Sequence, residues 1–381
     1  MKLLHHETTS PMQPLITVFL ALLVCMAHAN ASNSSISGSL NQSLTHNDNI
    51  YLEEQKTKAN TYQVTPKLTL KNKYLRGERN LHISNRLSKE HARQTTLRSL
   101  LDISADITHS HSMRAQSQAN ASFIEGLIKD QADEDSGDFT NNQKFQEHKL
   151  NHRTSYTTSP TQTLKLNISA LNKRYDSSSL NDYQTAAIKL GSSWSASKTI
   201  SIEANLTLDS TRYVEKTNIR KNSLDFSTAI QHSLKQRSDA TIGYADSKSS
   251  TNTQTWYGSA SHSYQGDIYS VIFTAARNVS ASGIGLEQIT DKINGVINWQ
   301  TSSSTRLTFE GSARHSYAQP EFGYFGKSTV DISSSFSHQI NKKWQYSLAY
   351  QHRRFDGKVG NWHVANKLVF TLKYNQDLYK F

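Results

Sequence analysis

Histidine and carboxylate side chains are the first candidates for chemistry in this sequence. His109 and His111 lie two residues apart in a predicted turn, where two imidazoles could share a metal ion. No third ligand follows at a defined spacing, as a zinc site would need. The acidic run at residues 130–138 offers oxygen ligands for a divalent cation but lacks the residue order of a calcium loop. We therefore expect solvated loops at both places, with no metal and no other cofactor.

Nucleophilic catalysis would need a serine, a histidine and a carboxylate brought together at one rim of the fold. These residue types are abundant throughout the chain, so their presence does not discriminate. The sequence contains no Gly-x-Ser-x-Gly element, no phosphate-binding Walker loop and no His-Glu-x-x-His element. We expect a protein that is not an enzyme, and a hydrolase at the rim of an outer-membrane protein is the less favoured alternative.

Basic side chains that alternate with aliphatic ones form a third candidate. Five of them fall in the interior of predicted strands, on the face opposite the aliphatic residues: Arg98, Lys165, Lys189, Arg306 and Arg314. If that face lines a water-filled lumen, rings of arginine and lysine favour anions. Acidic residues such as Glu203, Asp225 and Glu310 share this face. Ion pairing between strands that only fills the interior is therefore an equal alternative.

Period-two alternation indicates the elements that position these side chains. Ile200, Ile202, Leu206 and Leu208 alternate with polar residues, and the same pattern recurs along the chain from residue 35. The runs are roughly 9–13 residues long, as tilted strands that cross a bilayer are, whereas strands of soluble sandwiches have about five or six residues. The sequence therefore predicts an all-β fold, a transmembrane antiparallel up-and-down β-barrel.

The spacing of the connections predicts about 16–18 strands. Short polar turns are expected near residues 159–160, 197–198, 236–237, 265–266, 302–303 and 341–342. Longer connections are expected at residues 124–144, 174–182, 211–222, 278–290, 316–327 and 355–361. An even strand count leaves both termini on one side of the membrane. A doubtful loop at residues 91–95 decides between the two counts.

The composition excludes several classes of protein. Hydrophobic residues make up 35% of the chain, below the roughly 45–50% of soluble domains, so a single soluble core of this length is disfavoured. A polytopic helical membrane protein would need repeated apolar runs of about 20 residues. The net charge is +11, but the basic residues are spread along strands instead of clustering with stacking aromatics, which argues against nucleic-acid binding. A barrel with an apolar outer face and a wet interior fits these values.

The N-terminal segment has the form of a secretory signal peptide. Residues 15–26 are almost entirely apolar and are followed by Ala27-His28-Ala29, a small-x-small cleavage pattern. We assign residues 1–29 to the signal peptide and residues 30–381 to the barrel, and we expect the bacterial outer membrane as its location. The only cysteine, Cys25, lies inside the signal segment, so the exported chain would have no thiol for a disulfide or a metal site.

The C-terminus carries a second targeting feature. Tyr379 and Phe381 stand two residues apart at the end of the chain. This arrangement resembles the C-terminal signal of bacterial outer-membrane proteins, which implies that Phe381 engages the barrel-assembly machinery. The preceding apolar residues, Leu368 to Tyr374, occupy even positions whereas these two occupy odd positions. A β-bulge near Gln376 would bring both sets to one face.

The first predicted hairpin resembles a known group of proteins. Residues 46–52 read His-Asn-Asp-Asn-Ile-Tyr-Leu, and residues 61–70 form a strand that contains Pro66 and ends at Leu70. This opening is similar to that of the putative outer-membrane barrels associated with PEP-CTERM and exopolysaccharide loci. The resemblance implies a barrel that lies near polysaccharide-export components, and it implies no catalytic residues.

Together these features predict a porin-like channel or an export pore in the outer membrane of a Gram-negative bacterium. Its cargo would be small anionic solutes or glycans, with an association with exopolysaccharide export, and its surroundings would be outer-membrane lipid. Two alternatives belong to other classes. A surface adhesin or structural barrel would act through its outer loops, and a hydrolase would act at the rim.

Overall fold

A computed structural model describes residues 34–50, 56–92, 95–127, 144–176, 181–214, 218–248, 252–281, 287–318, 326–356 and 362–380. Within these residues the chain forms eighteen β-strands. They are β1 Ser34–Asn47, β2 Ala59–Tyr74, β3 Gly77–His91, β4 Thr95–Ser110, β5 Ala115–Leu127, β6 Lys144–Ser159, β7 Gln162–Tyr175, β8 Tyr183–Ser195, β9 Ile200–Tyr213, β10 Ile219–Ser233, β11 Gln236–Lys248, β12 Asn252–Gln265, β13 Tyr269–Ala281, β14 Glu287–Gln300, β15 Thr305–Ala318, β16 Lys327–Gln339, β17 Trp344–Asp356 and β18 Trp362–Lys380.

The eighteen strands close into one barrel. Each strand pairs antiparallel with its neighbours in sequence, and β1 also pairs with β18, so the sheet has no free edge. This confirms the predicted barrel and the higher of the two strand counts. The doubtful loop is real, because β3 and β4 are separate strands joined through residues 92–94.

The connections alternate between the two ends of the barrel as the sequence predicted. Each even-numbered strand except β18 is joined to the next strand by a short turn, and these turns all lie at one end of the barrel, the short-turn end. The start of β1 and the end of β18 lie at the same end, and the longer connections lie at the opposite, loop end. Several predicted bounds differ from the observed ones, and three examples show the trend. The turn expected at residues 236–237 lies at 234–235, and the connections expected at 211–222 and 278–290 shrink to 214–218 and 282–286. In each case a strand extends into residues that their polar composition had assigned to a connection. The acidic run at 130–138 lies outside the described residues.

The two faces of the wall differ in character. Ile188 and Leu190 on β8 are 45% and 51% exposed, whereas Asn205 and Asp225, which occupy the opposite face of the sheet, are 3% and 4% exposed. Side chains converge on the concave side of a closed sheet, so the crowded polar face is the inner one. The exposed aliphatic face is the outer one, as in a barrel that contacts lipid.

Aromatic side chains ring the short-turn end of the outer face. Trp194, Trp299 and Trp344 lie there with 39%, 46% and 38% of their surface exposed. Trp344 packs against Tyr374 with ring centroids 4.7 Å apart. Amphipathic rings at this level match the aromatic girdle of a membrane barrel.

The predicted bulge is present near the C-terminus. Ile36 pairs with Tyr379 and Ser37 with Asp377, so Leu378 is the extra residue of β18. The bulge places Tyr379 opposite the outward-facing Ile36, and Tyr379 is 55% exposed. Phe381 and residues 1–29 lie outside the described residues, so the assembly signal and the signal peptide remain predictions.

A hydrogen-bonded clasp joins the end of β1 to the start of β18 at the loop end of the barrel. Asp48 Oδ1 accepts a hydrogen bond from the backbone N of Asn366 at 2.6 Å, and Asp48 Oδ2 accepts one from Asn366 Nδ2 at 2.7 Å. Asn49, 1% exposed, donates from Nδ2 to the carbonyl of Val364 at 3.0 Å. The Asp-Asn pair of the first hairpin therefore helps to close the barrel.

The clasp makes barrel stability depend on pH. Burial raises the pKa of Asp48, but the hydrogen bonds from Asn366 and the charge of Lys56 outweigh it and hold the pKa below its ordinary value. A depressed folded-state pKa contributes stability above about pH 4 that is lost as the pH falls through the folded value. We expect Asp48→Ala to destabilise the barrel at pH 7 by about 1–2 kcal/mol and to flatten its stability between about pH 5 and pH 3.

Gel mobility of the folded barrel after heating at a series of temperatures measures this effect. Asp246→Ala, which removes a carboxylate from the outer face of β11, is the matched control and should keep the original pH dependence. An Asp48→Ala barrel with the wild-type pH profile would contradict the role of the clasp.

No helix in the described part of the chain is long and apolar enough to span a membrane.

Candidate functional site: the inner wall of the barrel

The inner face of β6 to β11 carries charges that neutralise one another. Lys165 pairs with Glu203 across the intervening strand β8, and Lys189 Nζ lies 3.6 Å from Asp225 Oδ2 across β9. Lys173 Nζ lies 3.5 Å from Glu147 Oε2. We call this surface the paired wall. Its ion pairs leave little net charge to act on a solute.

Asp225 is the centre of a network on the paired wall. Its Oδ1 accepts a hydrogen bond from Asn205 Nδ2 at 2.8 Å, and its Oδ2 accepts one from Tyr257 OH at 3.3 Å. Gly243 gives the Tyr257 ring its room, because a Cβ at that position would lie 2.7 Å from Tyr257 Cε2. A Cβ at Gly191 would likewise collide with Asn205 Oδ1. Glycine is thus required at two places where side chains cross a neighbouring strand.

An aromatic cluster covers the loop end of the paired wall. Phe145, Tyr175, Tyr183, Tyr213 and Ile219 are each less than one tenth exposed and form one packed group. Lys173, 2% exposed, lies 5.6 Å from the ring centroids of both Phe145 and Tyr175. This part of the inner face is packed, so it does not offer a wet polar surface.

The loop end of β13 separates from β12 and turns toward the lumen while it stays paired with β14. Pairing of β12 with β13 ends at Gly258 and Arg277, although β13 continues to Ala281. Lys221 Nζ on β10 donates to the carbonyl of Val279 at 3.0 Å, which holds the end of β13 against the inner face. A pocket of about 350 Å³ lies between the aromatic cluster and β13. The lumen is therefore narrowed on the side of the paired wall.

The inner face from β14 round to β3 has the opposite character. Among the described residues its basic side chains outnumber its acidic ones. The basic residues are Lys292, Arg306, Arg314, Lys327, Arg353, Lys367, Lys373, Lys67, Lys71, Lys73 and Arg86, and the acidic residues are Glu310, Asp331, Asp377, Glu78 and Glu90. We call this surface the basic wall. It carries a net positive charge that its own carboxylates do not neutralise.

Local partners on the basic wall compensate only some of these charges. Arg353 binds Asp331 through two nitrogens, at 2.7 and 3.1 Å. Lys71 Nζ lies 3.0 Å from Glu78 Oε2. Lys367 lies beside Arg353 and Arg86 as well as Asp331, so cations crowd together there. A solute in the lumen meets this surface as a positive field.

The five predicted lumen residues all occupy the inner face, but the structure separates them into three environments. Lys165 and Lys189 belong to the paired wall. Arg98 is only 7% exposed and is paired with the fully buried Glu90, so it does not line open water. Arg306 and Arg314 lie on the basic wall. In the ranges that the structure describes, neither guanidinium has a carboxylate within 4 Å.

Sequence reasoning missed the aromatic cluster. Phe145, Tyr175, Tyr183 and Tyr213 occupy the polar parity of their strands, unlike the girdle residues, which share the aliphatic parity. Because these aromatic residues alternate in step with the polar residues, the sequence alone could have predicted that their rings face the lumen.

The two histidines considered as metal ligands, His109 and His111, make ordinary contacts. The His109 ring stacks on Tyr74 at 5.8 Å, and His111 Nε2 lies 2.9 Å from Ser117 Oγ. Among the described residues, no group of three or more His, Cys, Asp or Glu side chains could hold a metal ion.

Comparison with known proteins places the fold. No protein-family model matches the chain, and no curated protein sequence is detectably similar. Solved structures are similar in fold. OpdQ of Pseudomonas aeruginosa has a TM-score of 0.52 at 8% identity, with 91% of this chain and 99% of that chain covered. OccK7 (OpdD) of the same organism has a TM-score of 0.52 at 10% identity, with the same shares covered.

A third similar structure was solved with a ligand. It is OccK2 (OpdF) of P. aeruginosa in complex with glucuronate, with a TM-score of 0.50 at 9% identity, covering 91% of this chain and 98% of that chain. The chain therefore shares the closed, antiparallel β-barrel fold of these structures. At these identities the likeness concerns the fold alone.

Proposed function

We propose that this protein is an outer-membrane porin that admits small anionic solutes. The observation that carries the proposal is the basic wall, whose arginines and lysines exceed its carboxylates. Barrels of this strand number leave an aqueous channel unless they are plugged. Fixed positive charges beside that channel favour anions over cations. Export by residues 1–29 is part of the same proposal.

The arrangement of the two walls supports carboxylates as the preferred solutes. The paired wall and the inward end of β13 narrow the lumen on one side, so a solute passes close to the basic wall. Arg306 and Arg314 present planar guanidinium groups, which bind carboxylates through two parallel hydrogen bonds. The glucuronate held by OccK2 is an example of such a solute in a barrel of this fold.

A direct test uses the purified chain in planar bilayers. We expect an anion-selective conductance that glucuronate reduces and that glucose at the same concentration reduces far less, because glucose has the same ring without the carboxylate. The preference should weaken as salt rises, since the screening length falls from about 10 Å at 0.1 M to about 3 Å at 1 M. Equal block by both sugars would contradict a carboxylate site. If a demonstrably folded barrel shows no conductance, an adhesin or structural barrel replaces the channel.

The association with exopolysaccharide export remains a prediction. The residues that suggested it, 46–70, form the loop end of β1, the connection after it and most of β2. Asp48 and Asn49 there have a structural role in barrel closure, which names no glycan. The basic wall would attract an anionic glycan and not a neutral one, so the sugar comparison above also bears on this prediction.

A further inference from the structure

The outer face of β5 to β9 carries a groove at its loop end. Four polar side chains stand in register across neighbouring strands, His148 on β6, Asn172 on β7, Gln184 on β8 and Arg212 on β9. All four share the parity of the exposed aliphatic residues, so they point away from the lumen. We call this row the rim, and it lies within five residues of the loop end of each strand.

Small side chains lie directly below the rim. Ala170 and Ala186 pair with each other in the next outward-facing row, which continues through Leu150 on β6 to Ala121 on β5. Together with the rim they border a groove of about 600 Å³ on the outer surface. Below the alanines the face becomes aliphatic again at Ile168 and Ile188, each about 45% exposed. The groove is thus apolar at its floor and polar at its upper edge.

The rim carries a positive charge that no carboxylate among the described residues neutralises. Arg212 is exposed, and in the part of the chain that the structure describes no carboxylate lies within 4 Å of its guanidinium. Arg174, exposed and outward-facing on β7, adds a second guanidinium two residues beyond Asn172. Glu125, the nearest outward carboxylate in the next row, accepts a hydrogen bond from Gln146 Nε2 at 3.2 Å. The upper edge therefore attracts anions.

A second groove on the same outer face lacks this property. It is bordered by Ala260, Ala275 and Ala313, and it has about 830 Å³ of space. Its outward-facing arginine, Arg277, binds Asp291 through two nitrogens at 2.6 and 2.7 Å. The charge there is already satisfied within the protein. The two grooves share shape and small floors but differ in free cationic charge.

The inner side of the same wall holds the rim in place. Tyr183 and Tyr213, the neighbours of Gln184 and Arg212 in sequence, belong to the buried aromatic cluster on the lumen side. Their burial restrains the backbone of β8 and β9 at the level of the rim. A ligand on the outside therefore meets preorganised groups, which lowers the entropy cost of binding.

We infer that the groove of β5 to β9 binds the phosphorylated glycolipid of the outer leaflet, with a phosphate at Arg212 and an acyl chain over Ala170 and Ala186. The inference rests on the proposed outer-membrane location, which places the loop end in the outer leaflet. Arginine pairs with phosphate oxygens through its fork of donors, and Asn172 and Gln184 add neutral donors beside it. An acyl chain fills an apolar groove that side chains leave open.

The test uses the folded, full-length barrel in detergent, with diphosphoryl lipid A as the probe and native mass spectrometry as the measurement. We expect diphosphoryl lipid A to bind the wild type about tenfold more tightly than dephosphorylated lipid A. Arg212→Gln should weaken binding of the phosphorylated form about tenfold, the worth of one charge-assisted hydrogen bond. Lys248→Gln, which removes one positive charge from the outer face of β11, is the matched control and should bind normally.

A second pair of variants tests the floor. Ala186→Phe should fill the groove and reduce binding about tenfold, whereas Ala313→Phe in the second groove should not. If Ala186→Phe does not fold, Ala170→Leu makes the same test with a smaller side chain. The inference would be overturned if Arg212→Gln or Ala186→Phe bound diphosphoryl lipid A as tightly as the wild type does. It would also be overturned if the wild type bound phosphatidylglycerol as tightly as diphosphoryl lipid A. Conductance is measured separately on Arg212→Gln and should be normal, so failure of the channel proposal is distinguishable.

Discussion

Replacing Arg306 and Arg314 by glutamate should remove most of the anion preference of the barrel and shift its selectivity toward cations. The double substitution alters the charge of the basic wall by four units at two positions that have no carboxylate nearby in the described structure. At about 8–10 Å in screened water each unit charge shifts an ion's energy by roughly 0.2–0.5 kcal/mol. The combined shift of about 1 kcal/mol or more has opposite sign for anions and cations, so the ratio of anion to cation permeability falls by roughly thirtyfold. The reversal potential in a salt gradient measures this ratio and should move toward the cation equilibrium potential.

Two controls make this result specific to the lumen. Arg220→Glu with Lys248→Glu makes the same charge change on the outer faces of β10 and β11 and should leave the reversal potential nearly unchanged. Lys165→Glu removes a cation that already pairs with Glu203, and it should affect folding before selectivity because it places two carboxylates together. If the Arg220 and Lys248 pair shifted the reversal potential as much as the Arg306 and Arg314 pair, the basic wall would not set the selectivity.

Replacing Gly243 by valine should be the most destabilising single change on the paired wall. The new Cβ would lie 2.7 Å from Tyr257 Cε2, and the ring covers this position on its way to Asp225. Overpacking costs about 1–3 kcal/mol, and losing the hydrogen bond to Asp225 adds about 1 kcal/mol. We expect a loss of about 2–4 kcal/mol in the free energy of unfolding, measured by urea titration of the folded gel species.

Two further variants separate the collision with Tyr257 from a general loss of stability on replacing a glycine in a strand. Gly311→Val, on the outer face of β15 where nothing lies within 4 Å of a new Cβ, should be nearly neutral. Tyr257→Ser in the Gly243→Val background removes the colliding ring and should recover part of the loss. If the double variant is no more stable than Gly243→Val, the collision with Tyr257 is not the cause.

Much of the architecture follows from the sequence alone. Alternation such as Ile200 to Leu208 reports which side of each strand meets an apolar medium, and strand length reports the thickness of that medium. Both signals are local, so they can be read from the sequence without knowing which strands pair with one another. They predicted the closed antiparallel barrel, the even strand count and the bulge before Tyr379.

The tertiary structure decided which charges are free. Arg98, Lys165 and Arg306 look equivalent in sequence, yet Arg98 is buried against Glu90, Lys165 reaches Glu203 across β8, and Arg306 stays on the basic wall. Closure likewise depends on Asp48 and Asn366, which are 318 residues apart. These outcomes depend on register and on the curvature of the closed sheet, because curvature brings inner side chains of non-adjacent strands together. Alternation sets the face of a residue, and only the closed barrel sets its neighbours.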